Sequence, residues 1–328
     1  MRRQDPKVGY ELNYRSLCRG GPQVSEIGFG GGPLRGRDWG PVDDAVSVAS
    51  IHRAMDLGVT FFDTADAYGN GHSEEVIGKG LIGERAHVLI ATKGGWWYID
   101  DVAYSDFSKI YLLRSLDASL KTLGTDYVDL YQIHDPDAEA LEKGEIFEVL
   151  DRMKASGKIR FGGASVSTVE EGLRCIEAGG VDVLQVYYNI LDQRPDPELF
   201  EAARTSGTGL VVKTPLGRGL LTGKYSPDSH FHTDDFRSRW QKEGQLKSLL
   251  ESVEKVRAIV GDKSPTLAQT ALRFVLSNAS VSTAIPGAKT PKQAEMNAMA
   301  SQLGPLSQVV NESLKRLYLD NVEADCWN

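Results

Sequence analysis

Residues 58–75 read GVTFFDTADAYGNGHSEE, and the way this stretch is parsed decides the fold. Val59-Thr60-Phe61-Phe62 has the β-branched and aromatic composition of a short buried strand. The run breaks at Asp63, and Asp66, Tyr68 and His72 follow on a segment that contains glycine. The pattern is an apolar strand that delivers carboxylates and a phenol where it ends.

The same kind of strand recurs along the chain. Candidates lie at 26–31 (EIGFGG), 60–65 (TFFDTA), 87–93 (HVLIATK), 128–134 (VDLYQIH), 159–165 (IRFGGAS), 183–189 (VLQVYYN), 209–214 (GLVVKT) and 281–286 (VSTAIP). Helical patterns separate them. SKIYLLRSLDASLKTLG predicts Ile110, Leu113, Leu116, Leu120 and Leu123 on the inner face, with Gly124 as the stop. EIFEVLDRMKASG predicts Ile146, Leu150 and Met153 inward, and VEEGLRCIEAGG does the same with Val169, Leu173 and Ile176. Alternating strands and helices imply a parallel sheet covered by helices. About eight units in a chain of 328 residues favour a closed (β/α)₈ TIM barrel in the α/β class, one domain over 1–328. The residues before 25 are expected to form an N-terminal hairpin that caps the barrel bottom. An open doubly wound sheet would carry a phosphate-binding turn early in the chain. Gly28-Phe29-Gly30-Gly31-Gly32-Pro33 lacks the third glycine of that fingerprint, and no helix pattern follows. The segment 216–260 reads as a long insertion before a helix at 265–277.

Composition narrows the functional classes. The chain is 25% charged and 41% hydrophobic with a formal net charge of -8, which argues against a nucleic-acid partner. The three cysteines, Cys18, Cys175 and Cys326, form no C-x-x-C pair and suit a reducing, cytoplasmic setting. No stretch approaches the roughly 20 apolar residues of a membrane helix, and no apolar leader segment follows the basic N-terminus. With no apolar stripe evident, a monomer is the expected state.

In a TIM barrel the chemistry gathers at the C-terminal ends of the strands. The second strand brings Asp63, with Tyr68 on the loop beyond; the third ends in Lys93 and the fourth in His134. This combination suits acid catalysis by tyrosine. A free phenol has a pKa of about 10, and a nearby ammonium favours its ionised form. A carboxylate against that ammonium keeps it charged and oriented, and an imidazole can orient a carbonyl oxygen. Singly, Asp63 reads as a helix cap or ion-pair partner and Tyr68 as a loop aromatic. Four such residues at neighbouring strand ends read as a site.

At this point the sequence resembles the aldo-keto reductase family over nearly its whole length. The pattern G-x-x-F-x-D-T-A-x-x-Y-G is met at 58–69, ATK at 91–93, and DYVDLYQIH at 126–134. PLGRGLLTGKY at 215–225 is similar to the family's cofactor loop, and IPGAKTPKQAEMN at 285–297 to its adenosine-phosphate segment. The resemblance implies a catalytic tetrad of Asp63, Tyr68, Lys93 and His134 and hydride transfer from NADPH, or less often NADH, to an aldehyde or ketone, without a metal. It implies that Ser165 and Gln185 hold the nicotinamide carboxamide. Lys213, Leu216, Gly217, Arg218, Gly219 and Leu220 then line the cofactor, as do Gly287, Ala288, Lys289, Gln293 and Asn297. Lys213 stands where many members stack a tyrosine on the nicotinamide, and Val166 where many have asparagine. Lys289 is the expected ligand of a 2′-phosphate, so NADP(H) is favoured and NAD(H) remains an option.

Trp39, Trp96, Trp97 and Asp135 lie beyond strands one, three and four and are candidates for the substrate pocket. Aromatic groups there suit a sugar ring or another flat carbonyl compound, although Trp96 and Trp97 also read as a cover for the barrel top. His230, His232, Asp234 and Asp235 fit no ordered metal template and read as part of a lid or solvated loop. Three other readings stay open: an aldose dehydrogenase working in the oxidative direction, a non-catalytic cofactor-sensing channel subunit, and a metal-dependent hydrolase using His134, Asp135 and Asp137.

Overall fold

The computed structural model describes residues 12–36, 38–100, 102–261 and 266–321. A hairpin of β1 (Tyr14–Ser16) and β2 (Gln23–Ser25) leads into β3 (Phe29–Gly30), α1 (Asp44–Asp56), β4 (Phe61–Asp63), α2 (His72–Gly80) and β5 (Leu89–Gly94). A second hairpin, β6 (Trp96–Ile99) and β7 (Val102–Ser105), precedes α3 (Lys109–Leu123) and β8 (Val128–His134). Then come α4 (Ala138–Lys143), α5 (Glu145–Ala155), β9 (Ile159–Ser165), α6 (Val169–Glu177), β10 (Val183–Tyr187), α7 (Glu198–Ser206) and β11 (Gly209–Lys213). The chain finishes with α8 (Ser238–Lys242), α9 (Leu246–Val260), α10 (Leu267–Leu276), β12 (Val281–Ala284), α11 (Pro291–Gln302) and α12 (Gln308–Asn321).

β3, β4, β5, β8, β9, β10, β11 and β12 pair in that order, every pair parallel. Bridges Ile27–Ala284 and Gly30–Gly287 join the two ends of this sheet, and the Gly28 amide donates to the Ala284 carbonyl at 2.8 Å. The sheet is therefore closed into a (β/α)₈ barrel. The closure explains a glycine of EIGFGG. A Cβ on Gly30 would stand 2.5 Å from the Ile285 carbonyl oxygen, so only glycine lets the last strand approach. That glycine serves the barrel seam and not a dinucleotide turn.

The β1–β2 hairpin plugs the bottom. Leu17 and Val24 are fully buried in a cluster with Phe61, Leu130, Val183 and Val211, all from barrel strands. The Ser282 hydroxyl donates to the Leu17 carbonyl at 2.8 Å, and the Arg15 guanidinium donates to the carbonyls of Leu276, Asn278 and Val281.

The helices follow the local signals with two corrections. α3 is capped by Ser108, whose side chain accepts from the Tyr111 amide, and stops at Gly124 with φ +69°. Its inner face is Leu112, Leu116, Leu120 and Leu123, whereas Ile110 is 66% exposed. Leu112, Leu116 and Leu120 form one stripe at a spacing of four residues, and Ile110 lies off it. The segment 216–260 is not an open insertion either. It holds a 3₁₀ turn at Gly217–Thr222, α8 and the 15-residue α9, which buries Leu246, Leu249, Val253, Val256 and Val260. Among the described residues no helix is long and apolar enough to cross a membrane. Cys18 and Cys175 are buried free thiols, and Cys326 lies outside the described residues.

Candidate active site

The four strand-end residues meet at the C-terminal rim. The Lys93 ammonium donates to Asp63 Oδ1 at 2.6 Å, to the Thr64 carbonyl at 2.8 Å and to the Tyr68 hydroxyl at 3.4 Å. Lys93 is 0% and Asp63 2% exposed. A buried ion pair is stable only when its remaining lone pairs are satisfied. Here the side-chain amides of Gln132 and Gln185 donate to Asp63 Oδ2 at 3.1 and 2.8 Å. Burial opposes the Lys93 charge, but Asp63 and Tyr68 more than offset it and hold its pKa above the ordinary lysine value. The result is a fixed positive charge aimed at the phenol of Tyr68.

His134 faces Tyr68 edge-on, with ring centroids 5.7 Å apart. Burial is the main force that pushes its pKa down to about 3; Lys93, Lys213 and Arg35 add to the effect, and Asp135 opposes it. His134 is thus neutral near pH 7 and can offer either a donor or an acceptor nitrogen. Its Nδ1 is buried with no hydrogen-bond partner among the described residues. Asp66 stands behind the tetrad, where its carboxylate accepts from Ser115 at 2.7 Å and burial raises its pKa to about 7.

Two contributors have only faint sequence signals. Gln132 is a polar residue inside the strand VDLYQIH, which marks it as bonded to something buried. Arg35, whose guanidinium carbon lies 4.6 Å from the centre of the Tyr68 ring, sits in a glycine-rich loop with no motif of its own.

Lys213 and Asp135 form a second ion pair beside the first. Lys213 Nζ donates to Asp135 Oδ1 and to Ser165 Oγ, each at 2.8 Å, and lies 4.2 Å from the centre of the Tyr187 ring. Burial works against the Lys213 charge, yet Asp135 and Tyr187 keep its pKa above the ordinary value. The Trp96 indole N–H donates to the Asp135 carbonyl at 3.4 Å, which brings Trp96 and Asp135 together at the mouth. Trp97 is turned instead into its hairpin, stacked on Tyr104 and packed on Tyr111. Trp39 lies elsewhere, edge-on to Phe236 and under the guanidinium of Arg237.

The residues expected to face a cofactor line the other side. Gly217, Arg218 and Gly219 have φ of +55°, +54° and +94°, a run of left-handed conformations that folds the loop onto itself, with the Gly217 amide donating to the Thr214 carbonyl at 2.9 Å and the Gly219 amide to the Leu216 carbonyl at 3.0 Å. Leu216 is half-buried and Leu220 is buried. The Thr214 hydroxyl is buried there without a partner among the described residues. Lys289 Nζ donates to the carbonyls of Trp39 and Gly40, its backbone amide donates to Gln293 Oε1 at 2.8 Å, and the Asn297 amide donates to the Gly287 carbonyl. Gly287 and Ala288 form the turn before α11, with Ala288 buried. Burial and the Arg237 charge lower the pKa of both Lys289 and Lys224, and Asp235 is the carboxylate that opposes this. Lys289, Lys224 and Arg237 share the single carboxylate Asp235, so the local charge is net positive, the sign that a phosphate requires. His230, His232, Asp234 and Asp235 do not converge: Asp235 is buried against Arg237, with Nε to Oδ1 at 2.7 Å, and no group able to hold a metal occurs among the described residues.

The comparisons agree with this geometry. The profile of the aldo/keto reductase family matches residues 26–319. An NADP(+) aldo-keto reductase of Schizosaccharomyces pombe is 34% identical over 93% of this chain and 91% of its own length. An aldo-keto reductase of Bacillus subtilis is 31% identical over 87% of each chain. The holo form of a Bacillus halodurans aldo-keto reductase superposes with a TM-score of 0.82 at 26% identity, covering 96% of this chain and 99% of its own. A barrel with such a rim is an oxidoreductase scaffold. The chain belongs to the aldo-keto reductase family, oxidoreductases that in general reduce small carbonyl compounds with nicotinamide cofactors.

Proposed function

We propose that the chain works as one barrel domain over 1–328 that reduces an aldehyde or ketone with NADP(H) in preference to NAD(H), with Tyr68 as general acid. The observation that carries this reading is the placement of the Lys93 ammonium between Asp63 and the Tyr68 hydroxyl. A bound reduced nicotinamide supplies a hydride to the carbonyl carbon. As the C=O π pair moves onto oxygen, the Tyr68 hydroxyl gives its proton to that oxygen and becomes a phenolate. Lys93, itself fully buried, stabilises this phenolate at close range as a preorganised charge. Asp63, held by Gln132 and Gln185, keeps the lysine in place, and neutral His134 orients the carbonyl oxygen by hydrogen bonding. Solvent returns the proton to Tyr68.

Preference for NADP(H) is supported by Lys289, Lys224 and Arg237 grouped against the single carboxylate Asp235. The Schizosaccharomyces pombe relative carries NADP(+) in its name. Removing the acid tests the reading. Tyr68→Phe should lower kcat by about 10²–10⁴-fold while nucleotide affinity, read by tryptophan fluorescence, stays within about twofold. Retained turnover removes Tyr68 as the acid.

A further inference from the structure

Asp135 is half-buried, with 30% of its side chain exposed at the mouth, and its two oxygens are used unequally. Oδ1 accepts from Lys213 at 2.8 Å and from the hydroxyls of Ser165 and Ser167 at 3.3 Å each. Oδ2 accepts no hydrogen bond among the described residues and is not sealed from solvent, since it is absent from the buried atoms that lack partners. Its nearest polar neighbour is His134 Nε2 at 3.9 Å, too far for a hydrogen bond. The backbone holds this oxygen in place. Asp135 has φ +44°, a conformation unfavourable for a residue with a Cβ, and its amide donates to the Ser165 carbonyl at 2.8 Å.

We propose that Asp135 Oδ2 is a substrate-binding acceptor that selects carbonyl compounds carrying a hydroxyl on the carbon next to the carbonyl. The inference rests on the carbonyl-reductase reading above and names the substrate class of the same site. Vicinal oxygens lie about a hydrogen-bond length apart. Two hydrogen bonds that diverge from such a pair, one to His134 Nε2 and one to Asp135 Oδ2, match the 3.9 Å between those atoms. The occupant of Oδ2 is a neutral hydroxyl and not an ammonium. Lys213, Lys93 and Arg35 already place positive charge around His134, adding to the burial that keeps it neutral, and they would repel a further cation. Lys213 serves as the positioning residue that keeps Asp135 ionised and directs Oδ1 away from substrate. Trp96, bonded to the Asp135 carbonyl and edge-on to Phe107, offers an apolar wall for the carbon skeleton.

The test compares kcat/KM for 2-hydroxypropanal and propanal, which differ by one hydroxyl. The two differ in intrinsic reactivity, so the informative quantity is the change in their ratio between proteins. The ratio should fall by about tenfold or more in Asp135→Ala, as expected for loss of a hydrogen bond to a charged acceptor. Asp135→Ala also strands the Lys213 ammonium, so the double variant Asp135→Ala/Lys213→Met is measured beside it and should show the same fall. Thermal unfolding and NADPH affinity report whether each variant keeps its fold and nucleotide site. A ratio unchanged in both variants overturns the assignment and leaves the reductase reading standing. If the wild-type protein binds NADPH but turns over neither aldehyde, the reductase reading fails and takes this assignment with it.

Discussion

At the scale of single residues, His134 ties the site to the stability of the protein. Its pKa in the folded chain is about 3, far below the ordinary histidine value of about 6.5. Between those values the unfolded chain binds a proton that the folded chain refuses, so stability falls as pH drops from 6.5 toward 3 and is unaffected above 6.5. The difference amounts to about 2 kcal/mol at pH 5. His134→Gln removes that liability. The stability gap between pH 7 and pH 5, measured by urea unfolding, should shrink by about that amount in the variant; an unchanged gap would place the proton uptake elsewhere. Burial does most to keep this imidazole neutral, and the two lysines and the arginine of the same rim add to it, so the packing and charges that serve the chemistry also set its acid sensitivity.

At the scale of elements, the turn before α11 and the loop at 38–40 are joined through Lys289, which donates to the Trp39 and Gly40 carbonyls. A phosphate competes for that ammonium with a stronger, charged acceptor. Lys289→Ala should weaken NADPH binding by about tenfold to a hundredfold and NADH binding by much less, as read by fluorescence titration. Equal losses would detach Lys289 from the 2′-phosphate. Elements also show where the sequence could be read and where it could not. The barrel strands announce themselves as short apolar runs ending in polar residues, and β8 and β9 fall where those runs lie. Asp63, Tyr68, Lys93 and His134 were legible because topology alone brings consecutive strand ends to one rim. The last two turns of α3 were legible too, with Leu116, Leu120 and Leu123 inward, but its first turn and the position of Trp39 were not, because each depends on what packs from elsewhere in the chain. Phe236 and Arg237 claim Trp39 from nearly two hundred residues away. The β6–β7 hairpin carried a signal in its run of aromatic and β-branched residues around Asp100, but it lies beside the barrel and outside the βα rhythm.

At the scale of the whole molecule, the barrel separates two tasks by its two ends. The rim carries the polar groups, and the base is closed by Leu17 and Val24 from the β1–β2 hairpin. Leu17→Ala should open a cavity there and cost about 2–5 kcal/mol. Urea unfolding would record the loss. Turnover of the folded protein should stay within about twofold, since the deleted atoms lie at the end remote from Tyr68. A proportional loss of kcat would mean that the base communicates with the rim.

The seam at Gly30 and Gly287 has a further consequence, for synthesis. The first barrel strand meets the last, so its edge has no neighbour until β12 at residues 281–284 has left the ribosome. An unpaired strand edge is a template for wrong pairing, and parallel sheets built from distant segments form slowly. For most of translation the nascent chain therefore carries an open-sided sheet, and Ile27–Gly30 is the side that a chaperone, or another nascent chain, would meet.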